Sequence, residues 1–277
     1  MPPDPFLDHL VSALARVRGV AAIVLGGSRA RGTDHSASDY DIGLYFFEAE
    51  PLDTAQLAEV VRALVDGPEA VEVTPVGGWG PWIVGGAWLK VRGQKVDLLY
   101  RRIEAVAQVI EQCRAGEITM HYQAGHPHGF CSAIWMGEIA LCRPLHDPHE
   151  AVAKLKTAAL SYPPELGAAL IDHFQWEILF SIENAELATS RSEQTHIAGC
   201  VYRALVCLAQ VLFAMNGRYL INEKGALSEA AGFEPTIPSL MPRVAEIWRL
   251  IGESRFAKAL AILREIEREL KALMKRQ

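Results

Sequence analysis

A pair of glycines directly follows the first apolar segment of this chain, and it limits what the segment can become. Val20 to Leu25 is an apolar run of the length of a buried strand, and it ends at Gly26-Gly27-Ser28. Consecutive glycines after a buried strand let the backbone approach a bulky anion closely, with N–H groups free to bind phosphate oxygens. The pattern therefore predicts a strand followed by a phosphate-binding turn over residues 26–32.

Two aspartates stand a short distance beyond this turn. Asp39 and Asp41 are separated by one residue at the start of an apolar, aromatic run, 42–47, that is typical of a second strand. Side chains alternate along a strand, so residues i and i+2 lie on the same face. Two carboxylates held close together repel each other unless a cation lies between them. Carboxylate oxygens together with substrate phosphates are the usual ligands of Mg²⁺, so we expect a magnesium site here.

A third aspartate occurs in a later apolar strand. Asp97 lies between Val96 and Leu98, and a buried charge in such a strand is costly unless it is paired or binds a metal. If this strand lies beside the strand of Asp39 and Asp41, three carboxylates converge opposite the glycine turn. That arrangement is suited to metal-assisted phosphoryl chemistry. An ion pair of Asp97 with a nearby lysine is the alternative.

These residues resemble the signature of the nucleotidyltransferase superfamily of the DNA polymerase beta type. Gly27-Ser28, ten intervening residues and Asp39-Tyr40-Asp41-Ile42 match it, although the residue between the acids is usually aliphatic. The combination of Gly-Ser-Arg-Ala-Arg-Gly with Ser-Asp-Tyr-Asp is most similar to the bacterial small-molecule branch, which includes the aminoglycoside and lincosamide adenylyltransferases. The resemblance implies a Mg²⁺-dependent enzyme that transfers a nucleoside monophosphate, most often AMP from ATP, to a hydroxyl and releases pyrophosphate.

The resemblance also implies roles for individual residues. Asp39 and Asp41 would hold Mg²⁺ against the triphosphate, and Asp97 would bind a second Mg²⁺ or take the proton from the attacking hydroxyl. Glu138 lies in an apolar run and is an alternative general base, although a salt-bridged interior acid is the favoured interpretation. The acceptor would be a small hydroxylated molecule, with an aminoglycoside-like antibiotic, and hence antibiotic resistance, as one implied case.

Further residues are predicted to contact the nucleotide. Gly27 and Ser28 would hold the outer phosphates. Arg29 is interpreted as a surface charge, and Arg31 is either a surface charge or a phosphate contact. In the second half of the chain a segment with Tyr219 and Lys224 interrupts the helical periodicity. It resembles the part of related enzymes that reaches the nucleotide, with Lys224 as a point charge for the triphosphate; a solvated turn lysine is the alternative.

Aromatic and histidine residues between the predicted strands allow two interpretations. Trp79, Trp82 and Trp88 stand among several glycines, where they could stack on a base or sugar ring or could fill the core. His126 and His128 flank Pro127 in a glycine-bearing segment. That spacing favours a structured loop over a metal site, and a functional loop there would line the acceptor pocket.

The order of predicted elements indicates an α+β fold. A mixed β-sheet with flanking helices occupies residues 1–148, the predicted catalytic domain, and an all-helical domain occupies residues 149–277. The predicted strands are 20–25, 42–47, 70–76, 85–91 and 96–100. The predicted helices are 6–17, 54–65, 103–114, 150–160, 166–189, 195–216, 240–251 and 255–275.

Composition narrows the remaining classes of protein. The chain has 277 residues with a net charge of −6, so a protein that binds nucleic acid by neutralising its backbone is disfavoured. The 5 cysteines form no C-x-x-C pair, and no apolar stretch is long enough to predict a membrane span. We therefore expect a soluble cytoplasmic protein that binds ATP and a small acceptor. The pattern predicts no oligomeric state.

Two other functions are compatible with the same motif. One keeps the chemistry but transfers the nucleotide to a protein side chain or a tRNA end, as toxin–antitoxin nucleotidyltransferases do. The other is a non-catalytic nucleotide-sensing module, against which the presence of all three carboxylates weighs.

Overall fold

A computed structural model describes residues 4–35, 38–67 and 71–276. The chain divides into two compact units. The first contains the residues up to Glu111 together with His121–Ser161, and the second contains Gln112–Met120 and the residues from Tyr162 onward. The first unit extends past residue 148, because Lys156 donates hydrogen bonds to the carbonyls of Ala140 and Cys142, at 2.5 and 2.8 Å. The division into domains at residue 148 stays a prediction.

Strands and helices alternate in the first half of the chain. The strands are β1 (Ala22–Leu25), β2 (Tyr40–Phe46), β3 (Gly86–Val91), β4 (Gln94–Arg102), β5 (Met120–His121), β6 (Phe130–Cys131) and β7 (Arg143–His146). The helices are α1 (Pro5–Leu14), α2 (Gly27–Arg31), α3 (Thr54–Leu64), α4 (Ile103–Arg114), α5 (Ala133–Leu141) and α6 (Ala151–Ala159).

Five of these strands form one mixed sheet in the order β3-β4-β2-β1-β7. The two central strands, β2 and β4, are parallel, and the other pairs are antiparallel. This mixed sheet with its flanking helices confirms the predicted α+β fold. The pairing of β2 with β4 brings together two segments that are far apart in the sequence.

The sheet has one face that is fully covered. Alternate residues of its strands, among them Ile42 and Leu98, are buried in a core with apolar residues of α1 and α3. Helix α1 begins where the side chain of Asp4 accepts hydrogen bonds from two backbone N–H groups and Pro5 takes the first helical position. Leu7, Leu10 and Leu14 then lie at helical spacing on the side that packs against the sheet.

The opposite face is more deeply buried at one end than at the other. Arg101 and Tyr45, near the ends of β4 and β2, are buried on this face, and Glu138 of α5 forms two hydrogen bonds of 2.9 and 3.0 Å with the Arg101 guanidinium. Burial alone would lower the pKa of Arg101, but the charge and hydrogen bonds of Glu138 raise it. The pair confirms that Glu138 is a salt-bridged acid, and it fixes α5 over this end of the sheet.

Two local predictions differ from the structure. The described part of the predicted strand 70–76 is not a strand; the Thr74 hydroxyl accepts the hydrogen bond of Gly86 N, at 2.8 Å, and Pro75 has no N–H to extend a ladder. Residue 70 itself lies outside the described residues. The predicted turn at 26–32 contains the single-turn helix α2, which ends at Gly32 with a left-handed backbone.

The second unit is helical in the part of the chain that the structure describes. Its helices are α7 (Pro164–Ala188), a 3₁₀ turn at Thr189–Arg191, α8 (Gln194–Met215), α9 (Ala226–Ala230), α10 (Leu240–Gly252) and α11 (Phe256–Met274). Among the described residues α8 alone has the length and apolar composition of a membrane span, but 72% of its most apolar stretch is buried inside the protein. That burial is typical of a core helix. The cytoplasmic location stays a prediction.

Replacing Glu138 with alanine is expected to lower the free energy of unfolding by about 3 kcal/mol, because Arg101 is left buried without its partner. Chemical denaturation of the two proteins measures the difference. Glu59→Ala, at an exposed position of α3, is the control and should change stability by less than about 0.5 kcal/mol. Equal effects of the two substitutions would show that the ion pair does not stabilise the fold.

Candidate active site

Two of the three predicted acids lie side by side on the central strands. Asp41 of β2 and Asp97 of β4 are direct register partners in the parallel pair. Neighbouring strands are about 4.8 Å apart, and paired residues project from the same face, so the two half-buried carboxylates share one region. The repulsion between them favours the binding of a cation there.

The turn after β1 lies directly against Asp41. The Gly26 N–H donates a hydrogen bond to the Asp41 carbonyl, at 2.7 Å. Gly27 has a left-handed backbone with a φ of +61°, and a Cβ atom there would lie 1.8 Å from Oδ2 of Asp41. Only glycine fits this position, so the second glycine of the motif allows the turn and the carboxylate to meet.

Arg29 holds the segment that leads into β2. Its guanidinium donates hydrogen bonds to the carbonyls of Ser38, at 2.7 Å, and Asp39, at 3.2 Å, and it lies 3.8 Å from the centre of the Tyr40 ring. The side chain is only 16% exposed. The interpretation of Arg29 as a surface charge is therefore wrong. Tyr40 is the sequence signal that could have indicated this contact. It is aromatic where the motif usually has an aliphatic residue, and a guanidinium can stack on its ring.

Asp39 immediately precedes β2, and its backbone carbonyl is one of the groups that Arg29 binds. Across residues 4–35, 38–67 and 71–276, no group of three or more His, Cys, Asp or Glu side chains is arranged to hold a metal ion. The structure thus brings Asp41 and Asp97 together as a pair. The metal-binding role of Asp39 stays a prediction.

The pair has the chemistry that a magnesium ion requires. Mg²⁺ in enzymes is usually bound by one or two carboxylates, and substrate phosphates and water complete its coordination. Asp41 and Asp97 supply hard oxygen donors on one face, and the absence of a side chain at Gly27 leaves backbone, not Cβ, beside Asp41. These two residues could hold the ion without any change in the strands.

The remaining predicted contacts lie in different parts of the chain. Gly27, Ser28 and Arg31 belong to α2, where Ser28 is half-buried and Arg31 is exposed. Lys224 belongs to the second unit, in the turn before α9, where its N–H donates to the Asn222 side chain at 2.8 Å. Nucleotide binding by these residues stays a prediction.

One of the tryptophans fits the core-filling interpretation, and another is exposed to solvent. Trp82 contacts an aromatic cluster of His121, Phe130 and Trp135, with ring centroids 4.7 to 5.3 Å apart, and so helps to fill the core. Trp88, by contrast, is 68% exposed. Its ring stacks on Trp79 with a centroid distance of 4.6 Å.

The histidine segment is a structured loop. His126 packs edge-on against Phe130, with ring centroids 5.2 Å apart, and His128 is 7% exposed. His128 is therefore nearly closed to solvent. Within the described residues neither belongs to a group that could hold a metal ion.

A family model matches the part of the chain that contains Asp41 and Asp97. Residues 7–112 match the family model described as "Nucleotidyltransferase domain". The match includes the glycine turn and all three acids, and it confirms the predicted enzyme class, a nucleotidyltransferase, and nucleotidyl transfer as its general reaction.

Two further comparisons were made. A crystal structure of a nucleotidyltransferase-like protein from Exiguobacterium sibiricum 255-15 is 12% identical and has a TM-score of 0.42; the alignment covers 95% of this chain and 73% of that one. The comparison with curated proteins gave no match.

Gly27→Ala is expected to weaken Mg²⁺-dependent binding of ATP at least about tenfold, because the new methyl group displaces the Asp41 carboxylate. Isothermal titration of ATP with and without Mg²⁺ measures the loss. Gly32→Ala is a matched control: its backbone is also left-handed, with a φ of +68°, but a Cβ there meets no atom within 4 Å. Equal losses in the two variants would assign the effect to backbone strain alone.

Arg29→Lys is expected to loosen the segment before β2, because a lysine cannot bind two carbonyls and stack on a ring together. Hydrogen–deuterium exchange of the peptide that contains Asp39 and Tyr40 should become at least about tenfold faster. Arg62→Lys, at an exposed position of α3, is the control. Unchanged exchange in Arg29→Lys would contradict the positioning role.

Proposed function

We propose that this protein transfers a nucleoside monophosphate, AMP from ATP, to a hydroxyl group of a small molecule and releases pyrophosphate. The observation that carries the proposal is the register pair of Asp41 and Asp97. Asp41 lies against Gly27, and the pair is inside the region that matches the nucleotidyltransferase family model. Two adjacent carboxylates next to a turn without side chains favour a bound metal–triphosphate.

Each residue has a distinct task in this reaction. Asp41 and Asp97 would hold Mg²⁺, with Asp39 as the third predicted ligand. A bound ion would supply charge neutralisation for the triphosphate and for pyrophosphate. Gly27 keeps the backbone close to Asp41, and Arg29 positions the segment that carries Asp39. Ser28, Arg31 and Lys224 are the proposed contacts to the phosphates.

The transfer itself needs a proton acceptor. The acceptor oxygen bonds to the α-phosphorus as the bond from that phosphorus to pyrophosphate breaks, and the hydroxyl proton passes to the Asp97 carboxylate. Glu138 is the weaker candidate, because both of its oxygens accept hydrogen bonds from the Arg101 guanidinium. Asp97 is half-buried and lies beside Asp41 on the central strands.

Asp41→Asn and Asp97→Asn test this proposal. Each should reduce pyrophosphate release from ATP and Mg²⁺, screened against small alcohols and sugars, by at least about a thousandfold, since metal stabilisation contributes several kcal/mol. Each should also abolish the dependence of ATP binding on Mg²⁺ in titration calorimetry. Asp172→Asn, an exposed acid of the second unit, is the control.

Full Mg²⁺-dependent ATP binding in both variants would refute the proposed metal site. The calorimetric measurement does not require the acceptor to be known.

A further inference from the structure

The edge of the sheet next to Asp97 carries an exposed tryptophan. Trp88 of β3 is the register partner of Asp97 in the antiparallel pair β3–β4, so both project from the same face. The exposed fraction of Trp88 is 68%. An exposed indole ring offers a flat apolar surface on which the ring of a ligand can stack.

The orientation of this tryptophan is fixed by its surroundings. Trp79 stacks on it with an angle of 22° between the rings, and the carbonyl of Trp79 accepts a hydrogen bond from Gln123 at 3.2 Å. Gly86 makes room for the pair, because a Cβ there would lie 2.9 Å from the Trp79 ring. The stacked rings therefore form a built platform on the sheet face.

Two lysines border this platform. Lys90 follows Trp88 by two residues on β3, Lys95 precedes Asp97 by two residues on β4, and the two lysines are register partners. All four side chains belong to one face, and both lysines are exposed. The acid that faces Lys90 is Asp66, whose carboxylate is held at the hairpin turn by the N–H groups of Arg92 and Gly93 at 2.7 and 2.6 Å.

The position of the platform relative to the acids indicates which substrate it binds. Across the sheet face the order is the Gly26–Gly27 turn, Asp41, Asp97 and Trp88. If the triphosphate lies at the glycine turn, as the proposed function has it, the opposite side of the acid pair is left for the acceptor. An acceptor that stacks on Trp88 brings its hydroxyl group toward Asp97.

Resting on the proposed function, we propose that Trp88, Lys90 and Lys95 bind the acceptor, and that the acceptor is a hydroxylated ring with an anionic substituent. The apolar face of a sugar ring packs on an indole ring, and the two ammonium groups attract a phosphate or carboxylate. The same lysines repel a polycation, so an aminoglycoside is the wrong class of acceptor for this site.

Binding of three rings of similar shape and different charge tests the proposal. The probes are glucose 6-phosphate, glucose and glucosamine, with dissociation constants from saturation-transfer NMR at millimolar concentration and without ATP. Glucose 6-phosphate should bind at least about fivefold more tightly than glucosamine. Absence of glucose 6-phosphate binding, or tighter binding of glucosamine, would overturn the proposal.

Variants separate the stacking contribution from the charge contribution. Trp88→Ala should abolish saturation of the ring protons, Trp88→Phe should restore part of it, and Lys90→Gln with Lys95→Gln should remove the preference for the anion. Trp176→Ala, at a tryptophan of the second unit that is 57% exposed, should change nothing. Each variant's melting temperature verifies that it is folded.

The nucleotide is the competing occupant of the platform. Trp88→Ala should leave Mg²⁺-dependent ATP binding unchanged, and a weakened affinity for ATP would show that the platform stacks on the adenine base. Because ring binding is measured without nucleotide, its failure is distinct from a failure of the Asp41→Asn and Asp97→Asn test, which concerns the metal site alone.

Discussion

The parallel register of β2 with β4 is the constraint on which the rest of the site depends. It places Asp41 beside Asp97, and the like charges of the two carboxylates are tolerated when a cation is bound between them. A slip of one residue would turn one of the acids into the apolar core on the other face. The buried residues on that face, such as Ile42 and Leu98, therefore help to hold the acids in place.

The face of the sheet that carries Asp41 and Asp97 is where the proposed transfer would take place. Helix α5 closes the end that contains Arg101, and the ion pair with Glu138 compensates the charge that is buried there. Toward the other end Asp41 and Asp97 are half-buried. One face thus combines a deeply buried ion pair with a pair of neighbouring carboxylates.

Sequence reasoning predicted the parts of this site that depend on local pattern. The strand, the glycine turn and the acids at one-residue spacing follow from periodicity, and the pairing of Asp97 with Asp41 follows from assuming that two apolar strands are neighbours. It missed Arg29, because the carbonyls of Ser38 and Asp39 come near it only after the chain folds back. It also predicted a strand at 70–76. An apolar run alone does not show that the Thr74 hydroxyl forms hydrogen bonds with Gly86 in place of a regular strand ladder.

The place of β3 at the border of the sheet has a consequence for how such enzymes diversify. Trp88 and Lys90 belong to a strand with a single partner in the sheet, while the acids belong to the two strands at its middle. Outward residues of a border strand can change without altering the alignment of the inner pair. Over evolutionary time, descendants of this chain could therefore bind different substrates while they keep the same reaction chemistry.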